Sequence, residues 1–127
     1  MTQNRPVNIN LLKIKLPLSA FLSITHRISG ILIFFIVLPV SVFIFSELTQ
    51  SQDSFNNFMI MYHKNFGIKF GCVGLILIFQ YHIFTGVRHI LMDFHILNES
   101  LSSSYKSAVT TLVLFAVNAL LTLWVML

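Results

Sequence analysis

"FGCVGLILIFQYHIFTGVRHILMD", residues 70–93, decides how this chain folds. From Phe70 to Val87 the stretch contains no Asp, Glu, Lys or Arg. A membrane-crossing helix needs roughly 20 mostly apolar residues, so the run reads as the body of a span. Yet His82 lies inside it, and Arg88, His89 and Asp93 close it. Ionisable groups are costly within a span and usually face a bundle interior or a bound group.

Two more runs have the same character. After Arg27 there is no charged residue until Glu47, and "ISGILIFFIVLPVSVFIFS" fills the gap. "SAVTTLVLFAVNALLTLWVML" forms residues 107–127. The expected fold class is an all-α integral membrane protein with three transmembrane helices, part of a heteromeric helix bundle. The chain makes one membrane-anchor domain, 1–127, with spans at approximately 24–47, 66–90 and 107–127. Pro39 falls inside the first span and predicts a kink there. The intervening "LTQSQDSFNN" and "NESLSSSYKS" read as short polar connections, and no internal repeat is visible. The N-terminus lacks the basic start and cleavage site of a signal peptide, so the first span is expected to stay as an anchor.

Composition agrees. The chain of 127 residues is 56% hydrophobic and 9% charged, with a mean hydropathy of +0.84. Soluble domains are about a quarter charged, so a bilayer-embedded chain is favoured over a water-exposed globule. The net charge is +4, but the Lys and Arg residues flank apolar runs. They set orientation in the bilayer rather than bind nucleic acid. Arg5, Lys13, Lys15, Arg27, Arg88 and Lys106 fall on one side, Lys64 and Lys69 on the other. The positive-inside rule then puts the N-terminus in the cytoplasm or mitochondrial matrix, and the C-terminus on the far side. Cys72 is the sole cysteine, so neither an internal disulfide nor a cysteine metal cluster is possible.

This topology brings the start of the first span and the end of the second to one membrane face. At the first, "SITHRISG" (23–30) sets Ser23, Arg27 and Gly30 on one helical stripe, with His26 beside it. At the second, His82, Gly86, His89 and Asp93 form a stripe, and Arg88 points away from it. His82 lies about 9 Å deeper than Arg88. Structural alternatives exist for each residue. Arg27 and Arg88 could snorkel, Gly86 could serve helix packing, and His82 could hydrogen-bond a neighbouring helix. The sharper reading is haem. His82 would take an axial position, and His26, Arg27 and His89 would meet the propionates near the aqueous rim. Gly86 would relieve crowding against the macrocycle. Zinc would need three or four clustered ligands. His89 lies two turns along the same helix and His26 near the interface, so a second axial ligand would come from another chain.

These two motifs resemble the cytochrome b membrane-anchor subunit of succinate dehydrogenase. The first signature is carried by Ser23, His26, Arg27, Ser29 and Gly30; the second by His82, Gly86, Arg88, His89 and Asp93. "RPVNINL" resembles the lead-in of the bacterial branch. The resemblance implies a membrane subunit that is no enzyme on its own. It implies partners: a flavoprotein subunit, an iron–sulfur subunit, and a second small haem-ligating membrane subunit. It implies haem b with His82 as ligand to the haem iron, and ubiquinone as substrate, with Ser23 and Arg27 lining the quinone site. It implies the inner membrane of a bacterium or mitochondrion. Two rival readings use the same residues: a fumarate reductase anchor, and a non-redox membrane scaffold or transporter subunit whose polar stripe only joins helices.

Overall fold

The computed structural model describes residues 15–98 and 100–127. Arg5, Lys13 and the "RPVNINL" lead-in lie outside the described residues. Among the described residues the architecture is all helical. Helix α1 runs Leu18–Gln50, α2 Gln52–Lys64, α3 Phe66–Asp93 and α4 Leu101–Met126. Three of these, α1, α3 and α4, are long and apolar enough to cross a membrane. At 1.5 Å per residue, α1 is about 50 Å long, well beyond a hydrocarbon core of about 30 Å, so its ends reach the interfaces.

Helix α1 continues through Pro39. A π-helical turn over Ile33–Val37 precedes it, and the Leu38 N–H bonds back to the Ile33 carbonyl. Regular α-helix resumes at Leu38, which makes Pro39 part of a new first turn. The wider turn just ahead of Pro39 accommodates a residue that has no N–H to give and whose ring crowds the preceding turn.

The connection after α1 departs from the sequence reading. "LTQSQDSFNN" is not an irregular polar link: most of it lies in the end of α1 and the start of α2. Ser51 caps α2 by accepting a hydrogen bond from the Ser54 N–H at 3.1 Å. Asp53 sits in the first turn and His63 and Lys64 in the last, which suits the helix dipole. Phe58 and Met61 face α1 and α3 across a small apolar cavity. Helix α3 starts at Asn65, whose side chain accepts from the Gly67 and Ile68 N–H groups. It ends at Asp93, and the chain turns away at His95, in left-handed conformation with φ 55°.

Packing is sparse inside and apolar outside. In the window of each long helix that best fits a span, at most 11% of residues are buried. Phe34, Phe35, Phe43, Phe45 and Trp124 are all more than 60% exposed. Such a surface is stable only against lipid or other apolar helices. Ser104, Ala108 and Thr111 are buried along α4 at i, i+4 and i+7, letting α4 approach α3 closely. Gln80 donates to Thr122 Oγ1 at 2.7 Å midway along this contact. Near the far end, Tyr62 donates to the Met126 carbonyl and Lys69 to that of Leu127.

Candidate functional site: a reciprocal histidine pair between two spans

Helices α1 and α3 run antiparallel, and their motifs meet. The imidazoles of His26 and His82 stack with centroids 4.1 Å apart and planes 13° from parallel. His89 adds a third ring 5.1 Å from His26, tilted by 45°. Three of the residues singled out in the sequence therefore form one cluster.

Two hydroxyls hold the stacked rings. Ser29 Oγ lies 2.9 Å from His82 Nδ1, and Thr85 Oγ1 lies 2.8 Å from His26 Nδ1. Each hydroxyl also donates to its own helix. Ser29 donates to the His26 carbonyl at 2.7 Å, and Thr85 to that of Tyr81 at 2.8 Å. A hydroxyl has one proton. Where that proton goes to the carbonyl, the ring donates through Nδ1–H. Both Nε2 atoms then carry the lone pair, the form in which a neutral imidazole ligates a metal.

The two glycines make the stack possible. A Cβ on Gly30 would stand 3.3 Å from His82 Cε1, and one on Gly86 would stand 3.1 Å from His26 Cε1. Each histidine therefore lies over the glycine of the opposite helix. Gly86, expected against a macrocycle, instead makes room for His26. The site is a quasi-twofold exchange between "HRISG" (26–30) and "HIFTG" (82–86). Sequence reasoning passed over Ser29 as a ligand-positioning group and missed Thr85, which is 1% exposed. The signal was this five-residue pattern, His-x-x-[Ser/Thr]-Gly, occurring twice. Beside it, Tyr81 OH hydrogen-bonds Thr25 Oγ1, which in turn bonds the Phe21 carbonyl at 3.0 Å.

The remaining residues are placed as follows. Ser23 is half-buried and Arg27 exposed at the same end of α1, and neither makes a side-chain hydrogen bond among the described residues. Asp93 is exposed. Arg88 points away from the histidines, as its helical position demands, and is 2% exposed against α4. It does not snorkel: it donates to Ser107 Oγ and to the carbonyl and hydroxyl of Ser104.

This geometry can orient a metal-ligating imidazole. Two stacked rings cannot occupy opposite faces of one iron, so His26 and His82 cannot together supply both axial positions.

The chain is similar to known proteins over most of its length. Residues 1–124 match the family described as succinate dehydrogenase/fumarate reductase transmembrane subunit. A succinate dehydrogenase cytochrome b556 subunit of Coxiella burnetii is 36% identical over 93 residues, 73% of this chain and 74% of that protein. A succinate dehydrogenase cytochrome b560 subunit of Porphyra purpurea is 34% identical over 112 residues, 87% and 88% of the two chains. One of the same description from Chondrus crispus is 34% identical over 100 residues, 72% of each. The match spans nearly the full length, takes in both helices that exchange histidines, and agrees with three apolar helices; the chain belongs to the succinate dehydrogenase/fumarate reductase transmembrane subunit family.

Proposed function

We propose that this chain is the membrane-anchoring cytochrome b subunit of a succinate dehydrogenase. It holds haem b jointly with a second small membrane subunit, and it helps pass electrons from succinate oxidation to ubiquinone. Its soluble partners are a flavoprotein and an iron–sulfur protein, and its location is the inner membrane of a bacterium or mitochondrion. Relatives named as succinate dehydrogenase subunits support this reading.

The observation that carries the reading is the hydroxyl that holds His82. Ser29 Oγ lies 2.9 Å from Nδ1 and fixes the ring, and in the tautomer with the proton on Nδ1 it is Nε2 that can ligate. Metal-bound histidines nearly always have their other ring nitrogen held in this way. The residues present therefore fit a haem. Bound haem b supplies one-electron redox chemistry at its iron. His82 would hold the haem iron from this chain, and a histidine of the second membrane subunit would hold it from the other. Arg27 and His89 offer donors to the propionates. His26 offers its Nε2 edge beside them, its Nδ1 being held by Thr85. Ser23 and Arg27 hydrogen-bond the quinone oxygens, and Arg27 stabilises the negative charge that develops there on reduction.

The test is His82→Ala in the intact complex. The expected result is altered or lost b-type absorbance in the reduced-minus-oxidised spectrum of membranes that still contain the chain. An unchanged spectrum with unchanged iron spin state rejects His82 as ligand. Co-purification of a flavoprotein and an iron–sulfur protein with the chain separates an anchor from a free-standing scaffold.

A further inference from the structure

Arg88 belongs to the second motif, yet the histidine site does not use it. It lies on the face of α3 opposite His82 and borders a cavity of about 520 Å³ between α3 and α4. Toward the face carrying most of the basic residues the cavity is lined by Arg88, Lys106 and Ser107 together with Leu91 and Leu97, and one to two turns deeper by Ile83, Phe84 and Leu114. No Asp or Glu lines it among the described residues.

The guanidinium is fixed but only half used. Nε and Nη2 are held by Ser107 and Ser104 at 3.1–3.2 Å. The two N–H donors of Nη1 have no partner among the described residues, although Arg88 is 2% exposed. Among the described residues Gln80 Oε1 is the one enclosed side-chain polar atom without a partner, so the Nη1 edge of the guanidinium is not sealed in protein but opens to the cavity that Arg88 lines. Hydrogen-bonding the other edge to serines aims the guanidinium without neutralising it. A fixed guanidinium, a nearby ammonium and a deeper apolar slot match one amphiphile: a phosphate head with an acyl chain.

We propose that the α3–α4 cavity is a binding site for an anionic phospholipid. Its phosphodiester bonds Arg88 Nη1 and pairs with Lys106, and an acyl chain lies against Phe84 and Leu114. The site is separate from the haem and quinone reading and stands if that reading fails.

The experiment uses the complex that purifies with the full chain, reconstituted in nanodiscs containing equal phosphatidylglycerol and phosphatidylcholine. Native mass spectrometry of the released complex counts retained lipids. The wild type is expected to retain phosphatidylglycerol in preference to phosphatidylcholine. Lys106→Gln should reduce that preference roughly fivefold, the worth of one cation near a charged lipid. Arg88→Gln should reduce it by at least as much. Lys106 is exposed, so its variant keeps the helix packing and decides the matter if Arg88→Gln fails to assemble. Equal retention of both lipids by the wild type, or an unchanged preference in Lys106→Gln, overturns the site. Displacement of phosphatidylglycerol by excess inorganic phosphate overturns the acyl half of it.

Discussion

The hydroxyls beside the two histidines are the residues on which function turns most finely. Ser29→Ala leaves His82 present but removes the hydroxyl that holds its ring. Loss of such a partner typically weakens metal binding 10–100-fold. The expected outcome is weaker haem retention and a shifted haem midpoint potential, with Ser29→Thr restoring both. Wild-type retention and potential in Ser29→Ala would remove Ser29 from the site. The glycines make a second residue-scale test. A methyl on Gly86 meets His26 at 3.1 Å and one on Gly30 meets His82 at 3.3 Å. Both rings are tethered by hydrogen bonds, so neither swings away freely. Overpacking of this kind costs about 1–3 kcal/mol. Gly86→Ala should therefore destabilise the chain in mixed-detergent unfolding, more than Gly30→Ala does; equal stability of Gly86→Ala and wild type would contradict the stack. Ser23→Ala should slow succinate-driven quinone reduction roughly five- to a hundredfold, the effect of losing one donor worth about 1–3 kcal/mol. Reduction of an artificial acceptor that bypasses the membrane should stay unchanged. Equal loss in both assays would make Ser23 an assembly residue.

At the scale of elements, α3 is held on two sides by different chemistry. Toward α1 it uses histidine stacking and hydroxyls. Toward α4 it uses small residues and the Gln80–Thr122 bond. Gln80 Oε1 is buried with no partner among the described residues. A hydrogen bond between membrane helices is worth about 0.6 kcal/mol on average, and an unpaired buried carbonyl costs about 1–3 kcal/mol. Gln80→Leu should therefore be neutral or mildly stabilising by the same unfolding assay. A loss beyond about 2 kcal/mol would mean that another subunit donates to Oε1 in the assembled complex.

The whole molecule is three lipid-length helices with little interior of its own. Its exposed phenylalanines and its single-sided cluster of ionisable groups suit a member of a larger bundle. Orientation is a prediction at this scale. A reporter fused after Leu127 should register the periplasmic or intermembrane side, and one at Ser103 the cytoplasmic or matrix side. The reverse pattern would separate Ser23 and Arg27 from the soluble subunits and end the electron-transfer reading.

The sequence alone carried the membrane class, because runs of apolar residues without charge have no other stable setting. It also pointed to the three histidines that meet, His26, His82 and His89, since helical spacing puts side chains on one face whatever the helix packs against. It did not reveal α2, whose helix rests on a Ser51 cap and on apolar residues packed against α1 and α3. Nor did it show that Thr85 serves His26, that Ser29 serves His82, or that Arg88 enters a serine socket on α4. Periodicity defines a face, but not which residue of the opposing helix meets it. That register is set only when two surfaces interlock, here by each imidazole settling over the glycine of the other span.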